Sequence, residues 1–379
     1  MYINKTSILK GYHFLPNPLY RTFSTGGIRK KHKLYDIAII GGGPTGNAMA
    51  CALTSSPELS NKKIALIDPG KYDHVAAWEP PLNAYSNRTL QITSSSHKFL
   101  QGLWNYVMQE RTQPYYRAFI SDSVEGGRVI LEPNTKTAGP VAYLVETKNL
   151  QRAFVRMLND QKDKIDIIDR TKVTSISTEP GDLDWPIVHL SNSSTIQARL
   201  LIGADGYYSS VRKYSSIYSQ TYDYQQHGLV ANLILERTNQ DAYERFLPSG
   251  PIALLPFPNA QANIVWSLTR DIVQKLKNLP EDLFVKMVNA AFALPSSDVE
   301  YLVDLIDQDG SCIDSQVDVE KEINWRWKIA TKNSTLCENQ PPRISSITPK
   351  SRTTFPLRML NADRYIGERL ALIGVSYFV

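Results

Sequence analysis

Tyr35-Asp36-Ile37-Ala38-Ile39-Ile40-Gly41-Gly42-Gly43-Pro44-Thr45-Gly46 decides the fold. The first six residues form a short apolar run, the look of a strand buried on both faces in a parallel sheet. The glycines follow at once and open Asn47-Ala48-Met49-Ala50-Cys51-Ala52-Leu53, a helical run. In such a strand–turn–helix, Gly41 allows the tight turn, Gly43 lets the backbone approach a pyrophosphate, and Gly46 lets the helix pack closely on the strand. Pro44 suits the first helical turn, where its missing N–H is not needed. The helix N-terminus then offers free N–H groups and a partial positive charge to phosphates.

Just beyond lies Lys63-Ile64-Ala65-Leu66-Ile67-Asp68, a second buried strand with an acid at its end. Asp68 stands near the distance at which a carboxylate accepts hydrogen bonds from an adenosine ribose. These residues point to a dinucleotide and leave NAD and FAD both open.

The rest of the 379-residue chain allows one large or two medium domains, with 42% hydrophobic and 21% charged residues. The three cysteines, Cys51, Cys312 and Cys337, lie far apart and imply neither a disulfide framework nor a zinc site. No apolar stretch is long enough for a spanning helix. The net charge of +5 is uneven: Lys5, Lys10, Arg21, Arg29, Lys30, Lys31 and Lys33 precede the first acid, Asp36. A basic, acid-free N-terminus reads as a mitochondrial transit peptide over residues 1–34, and Arg21-Thr22-Phe23-Ser24 has the look of a matrix processing site. A basic arm for nucleic acid or acidic lipid is the alternative. No interleaved basic and aromatic surface downstream supports nucleic-acid binding, so no nucleic-acid partner is expected.

Ile196-Gln197-Ala198-Arg199-Leu200-Leu201-Ile202 is another strand, followed by Gly203-Ala204-Asp205-Gly206-Tyr207-Tyr208-Ser209-Ser210-Val211-Arg212. This stretch resembles the Asp-Gly motif of the class A flavin-dependent aromatic hydroxylases. An Asp-Gly pair alone is a common turn; here Asp205 and Gly206 sit at a strand end, where carboxylate and backbone can meet a pyrophosphate. The resemblance implies FAD as cofactor. It also implies flavin contacts at Arg88, within Ser86-Asn87-Arg88-Thr89, and at Gln151, within Asn149-Leu150-Gln151-Arg152, and a backbone contact to adenine at Val173. Alone, Arg88 would read as a surface arginine and Gln151 as one face of an amphipathic helix. An NAD-dependent Rossmann dehydrogenase is a remote alternative that the Gly203–Arg212 stretch argues against.

The expected fold is α/β: a Rossmann-like FAD-binding domain with an inserted antiparallel-sheet substrate domain. The FAD domain is expected over 35–115 and 141–215, the sheet domain over 116–140 and 216–356, and a return strand over 357–379. Arg245-Phe246-Leu247-Pro248-Ser249-Gly250-Pro251, Ile264-Val265-Trp266-Ser267 and Phe284–Phe292 are similar to the ubiquinone-biosynthesis branch of the family. Residues 296–342 read as a loop-rich insertion, and Trp325 and Trp327 as one face of a strand. That branch implies a monooxygenase that uses O2 to hydroxylate a polyprenylated phenolic ring at C5. It further implies a ferredoxin–ferredoxin reductase electron donor, other ubiquinone-biosynthesis proteins as partners, and peripheral attachment to the matrix side of the mitochondrial inner membrane.

No metal cluster, Ser/His/Asp set or carboxylate pair is expected, and no catalytic acid or base is assigned, because the flavin supplies the difficult step. Finally, Leu370-Ala371-Leu372-Ile373-Gly374 resembles the start of the family's last flavin element, in which an aspartate follows the glycine. Val375 stands there instead. The sequence therefore predicts an FAD domain without its C-terminal part, with a non-catalytic or unstable partner of the biosynthetic complex as the alternative. Val375-Ser376 is also what an in-frame splice donor spells, as in a retained intron.

Overall fold

The computed structural model describes residues 32–82, 84–133, 139–179, 184–314 and 316–374. The basic segment up to residue 31 and Val375 lie outside the described residues.

Strand β1 (Lys33–Ile40) occupies the middle of a nucleotide-type sheet. It runs parallel to Thr195–Gly203 on one side and to β2 (Ile64–Ile67) on the other. Next to β2 comes Ile165–Ile168, also parallel. On the opposite side, Leu370–Leu372 adds parallel to the end of Thr195–Gly203. The apolar runs read from the sequence form these strands because both faces are covered: every residue of β2 is buried. On one face, helix α1 (Pro44–Ser55) and the helix Thr147–Asp160 pack together, sharing a core of Ala50, Cys51, Leu150, Phe154 and Leu158.

The second large sheet runs in the order Ile344–Ile347, Ser219–Leu235, Gln261–Thr269, Gly250–Phe257, Ala242–Leu247, Ala118–Asp122, Arg128–Leu131. Its pairings are antiparallel, as expected of the inserted sheet, except that Ala242–Leu247 runs parallel to Ala118–Asp122. Alternation gives it two faces. Leu229, Ala231, Leu233, Ile252, Leu254, Ile264, Trp266 and Leu268 point toward helices and bury against Phe284, Met287, Val288 and Leu302. Val230, Asn232, Ala253, Leu255, Asn263 and Val265 occupy the other face. A third, three-stranded sheet (Thr89–Thr93, Ala142–Glu146, Gln113–Tyr115) meets that face, with Tyr115 and Leu144 packed on Leu255 and Phe257.

Two expectations need correction. Residues 296–342 hold the helices Ser296–Asp304 and Val319–Lys332 rather than a loop-rich insertion. Trp325 and Trp327 therefore sit on a helix, not a strand; Trp325 is exposed and Trp327 packs on the core. Asp318 supplies the reason: its carboxylate caps the amides of Glu320 and Lys321, and Glu322 pairs with Arg326 one turn on. The strand Thr353–Ala362 stays with the large sheet as far as Ala362, and the chain rejoins the nucleotide sheet at Ile366–Gly367.

Candidate functional site

The three glycine-containing stretches found in the sequence converge at the carboxyl end of β1. Gly41 has φ of +103°, which only glycine adopts freely, and a Cβ there would lie 2.5 Å from the Ala204 carbonyl oxygen. The Ala204 amide donates to Ile40 O at 2.7 Å, so the Asp-Gly turn is fastened to the glycine turn. Gly374 follows the strand Leu370–Leu372 and stands against Thr45 at the start of α1.

Within this junction Gly43 differs from its neighbours. A Cβ on Gly43 would meet nothing within 4 Å, whereas one on Gly46 would collide with the Gly41 carbonyl. Gly43 is also the N-cap of α1, which has no side-chain cap and no acid in its first turn. No capping side chain and no acid therefore compensates the dipole at the start of this helix.

Asp205 faces the same junction. One carboxylate oxygen accepts from the amide and hydroxyl of Ser210, at 2.6 and 2.8 Å. The other, Oδ1, is buried and has no partner among the described residues. A buried oxygen without a donor is costly and points to a ligand hydroxyl or amide. Open backbone at Gly43, a bare helix N-terminus and an orphaned acceptor at Asp205 fit the diphosphate and polyol parts of a dinucleotide.

Asp68 is more committed than its sequence position suggests. Its two oxygens accept from the amides of Gly42 and Gly70, each at 2.7 Å, so it clamps the glycine turn. The amide of Thr171 donates to the Asp68 carbonyl at 3.1 Å and brings the approach to Val173 to that end of β2. Arg88 is exposed, and no described group pairs with its guanidinium. Its carbonyl accepts from the Thr147 amide at 3.0 Å, which sets it one turn from the half-buried Gln151.

Several supporting residues escaped the sequence reading. Asn47 donates to the Gly42 carbonyl at 2.6 Å and accepts from the Tyr72 hydroxyl at 2.8 Å. Burial holds the Tyr72 phenol far above its usual range, so it stays a donor. Arg111 and Glu146 make a bidentate pair at 2.7 and 2.9 Å, with side chains 8% and 0% exposed. Glu146 also accepts from the Ser86 amide, and Arg111 Nη2, which bonds Glu146, donates to the Ala84 carbonyl too, with the guanidinium 4.2 Å over the Tyr85 ring. The segment carrying Arg88 thus hangs on this pair. It is tied to the large sheet as well: Asn232 donates to the Tyr85 carbonyl at 2.6 Å, Asn87 donates to the Ser351 carbonyl at 2.6 Å, and Asn263 donates to Asn232 at 2.8 Å. Buried Asn in a β-run was the available signal, since a strand interior disfavours Asn.

A nucleotide sheet with a fastened Asp-Gly turn, under a second sheet, is the fold of the FAD-dependent monooxygenases. Among solved structures it resembles PqsL, described as a probable FAD-dependent monooxygenase from Pseudomonas aeruginosa (TM-score 0.58, 14% identity, 90% of this chain and 78% of that one). It also resembles p-nitrophenol 4-monooxygenase PnpA from Pseudomonas putida DLL-E4 (TM-score 0.56, 11% identity, 90% and 72%). No protein-family model matches the chain. Whole-length relatives are closer. The mitochondrial ubiquinone biosynthesis monooxygenase COQ6 of Saccharomyces cerevisiae is 33% identical over 353 residues, 90% of this chain and 73% of that protein. The Homo sapiens protein of the same name is 31% identical over 350 residues, 90% and 71%. The chain belongs to the COQ6 family of ubiquinone biosynthesis monooxygenases.

Proposed function

We propose that the chain binds FAD at the junction of Gly41–Gly46 with Asp205 and Gly206, and hydroxylates a polyprenylated phenol at ring position C5 with O2. The observation that carries this reading is the orphaned, buried Oδ1 of Asp205, on the turn that abuts Gly41. The first-turn amides of α1 would offset the diphosphate charge. Asp205 would take a hydroxyl of the linking chain, and Asp68, held by Gly42 and Gly70, keeps lone pairs for a ribose. Arg88, on a segment anchored by Glu146 and Asn232, would bring a cation to the ring end, with Gln151 one turn from it and Val173 toward the adenine end. Reduced FAD supplies the activation of O2. The large sheet contributes an apolar wall that excludes water from the ring site.

The family membership supports a mitochondrial location, a transit peptide at the N-terminus and a role beside other ubiquinone-biosynthesis proteins. A ferredoxin-type electron donor and peripheral contact with the matrix side of the inner membrane belong to the same proposal. No helix among the described residues is long and apolar enough to cross a membrane.

Purified protein tests the flavin reading directly. Yellow protein that releases FAD on denaturation is the expected result. A folded, colourless protein that takes up no added FAD would refute it. Restored ubiquinone synthesis in yeast lacking COQ6 tests the substrate.

A further inference from the structure

The face of the large sheet that meets the Arg88 segment is arranged in cross-strand rows. One row runs Asn232–Asn263–Leu255 and carries the hydrogen bond to Tyr85. The adjacent row runs Val230–Val265–Ala253–Glu244 and continues to Ile120 on the parallel strand. Glu244 is the one ionisable side chain in that row, and its neighbours are aliphatic.

Glu244 is partly buried, yet no described residue donates a hydrogen bond to it or pairs with its charge. Burial alone holds its carboxyl above the usual carboxylate range. Tyr115, whose phenol is raised by burial first and by the Glu244 charge second, is already engaged as a donor: it donates to Gln91 Oε1 at 2.6 Å. A half-buried acceptor that no protein group satisfies is open to a donor carried by a ligand. The ligand this site takes, on the reading proposed above, is an aromatic ring with a hydroxyl group. The aliphatic row suits the ring, and the hydroxyl is the missing donor.

We propose that Glu244 receives the ring hydroxyl of the phenolic substrate and acts on it during oxygen transfer. The carboxylate accepts the O–H hydrogen bond and fixes which ring carbon faces the flavin end. As the new C–O bond forms, the phenol proton moves to Glu244, and the phenolate oxygen releases electron density into the ring. Glu244 returns the proton when aromaticity is restored. The net change is ring C–H, O2, two electrons and two protons giving ring C–OH and water, with no net proton held by Glu244.

Binding of 4-methylphenol, which keeps its O–H at neutral pH, and of its methyl ether, 4-methylanisole, tests the assignment by titration calorimetry. The wild-type chain should prefer the phenol over the ether by about tenfold or more, as a hydrogen bond to a charged acceptor provides. Glu244→Leu should abolish that preference while still binding the ether, and Glu244→Gln should restore part of it. Equal preference in wild type and Glu244→Leu would overturn the proposal, as would wild-type protein that does not distinguish the two ligands. Thermal melting checks folding of the variants; removing an unpartnered, desolvated carboxylate should not lower Tm at neutral pH. FAD content is read on the same samples. Colourless protein that keeps the phenol preference would refute the flavin reading and leave Glu244 supported, and yellow protein without the preference would do the reverse.

Discussion

A Cβ added to Gly46 would land on the carbonyl oxygen of Gly41. The first helix therefore rests directly on the turn that precedes it, and the obstacle is backbone, which cannot rotate aside. Gly46→Ala is expected to destabilise the fold by about 1–3 kcal/mol or more, as overpacking does. Gly43→Ala fills open space and should leave Tm unchanged while weakening FAD binding about tenfold or more. Thermal melts with FAD titrations separate the two; full FAD affinity in Gly43→Ala would move the diphosphate elsewhere.

Asp205 has one oxygen spent on Ser210 and one free. Asp205→Ala should lose the local anchor, costing about 1 kcal/mol on the scale of a lost cap, and should also lose retained FAD. Ser210→Ala removes the hydroxyl donor and leaves Oδ1 as it was, so FAD content should change little. Equal FAD loss in both variants would mean that Asp205 acts through the turn alone.

The Arg111–Glu146 pair is dry, so removing one partner strands a charge. Arg111→Met is expected to cost about 3–5 kcal/mol, and adding Glu146→Leu should recover much of it. Urea melts of the two singles and the double measure this. A double variant as unstable as the sum of the singles would show that the ties to Ser86 and Ala84 outweigh the ion pair.

Burial pushes the Cys51 thiol up to about 12, leaving it protonated through the neutral range. Native protein at pH 8 should show no reaction of Cys51 with a disulfide reagent, while Cys312 and Cys337 are more accessible. Unfolding in guanidinium should expose it. Peptide mapping after timed labelling gives the answer, and rapid native labelling of Cys51 would mean that α1 opens readily.

The nucleotide half was legible because its signals are local. Ile37 to Gly46 and Gly203 to Gly206 each specify a strand and a turn with their own residues. The supports were not, since Asn47 meets Tyr72 and Arg111 meets Glu146 only after folding. Trp325 and Trp327 misled because spacing of two suggests a strand, while the cap at Asp318 and the Glu322–Arg326 pair favour a helix. Asp68 was found by position, but its grip on Gly42 and Gly70 depends on backbone directions that a sequence does not display.

The hydrogen bond from Asn87 to the Ser351 carbonyl joins residues 264 apart in the chain. A ribosome makes the Arg88 segment long before the residue that fastens it. Nascent chain can assemble the strand and turn around Gly41 soon after they emerge, but the tie on the Arg88 segment must wait for residue 351. On the proposed reading, a flavin met before residue 351 has joined would be held by its nucleotide end alone, and its ring end would be secured only afterwards.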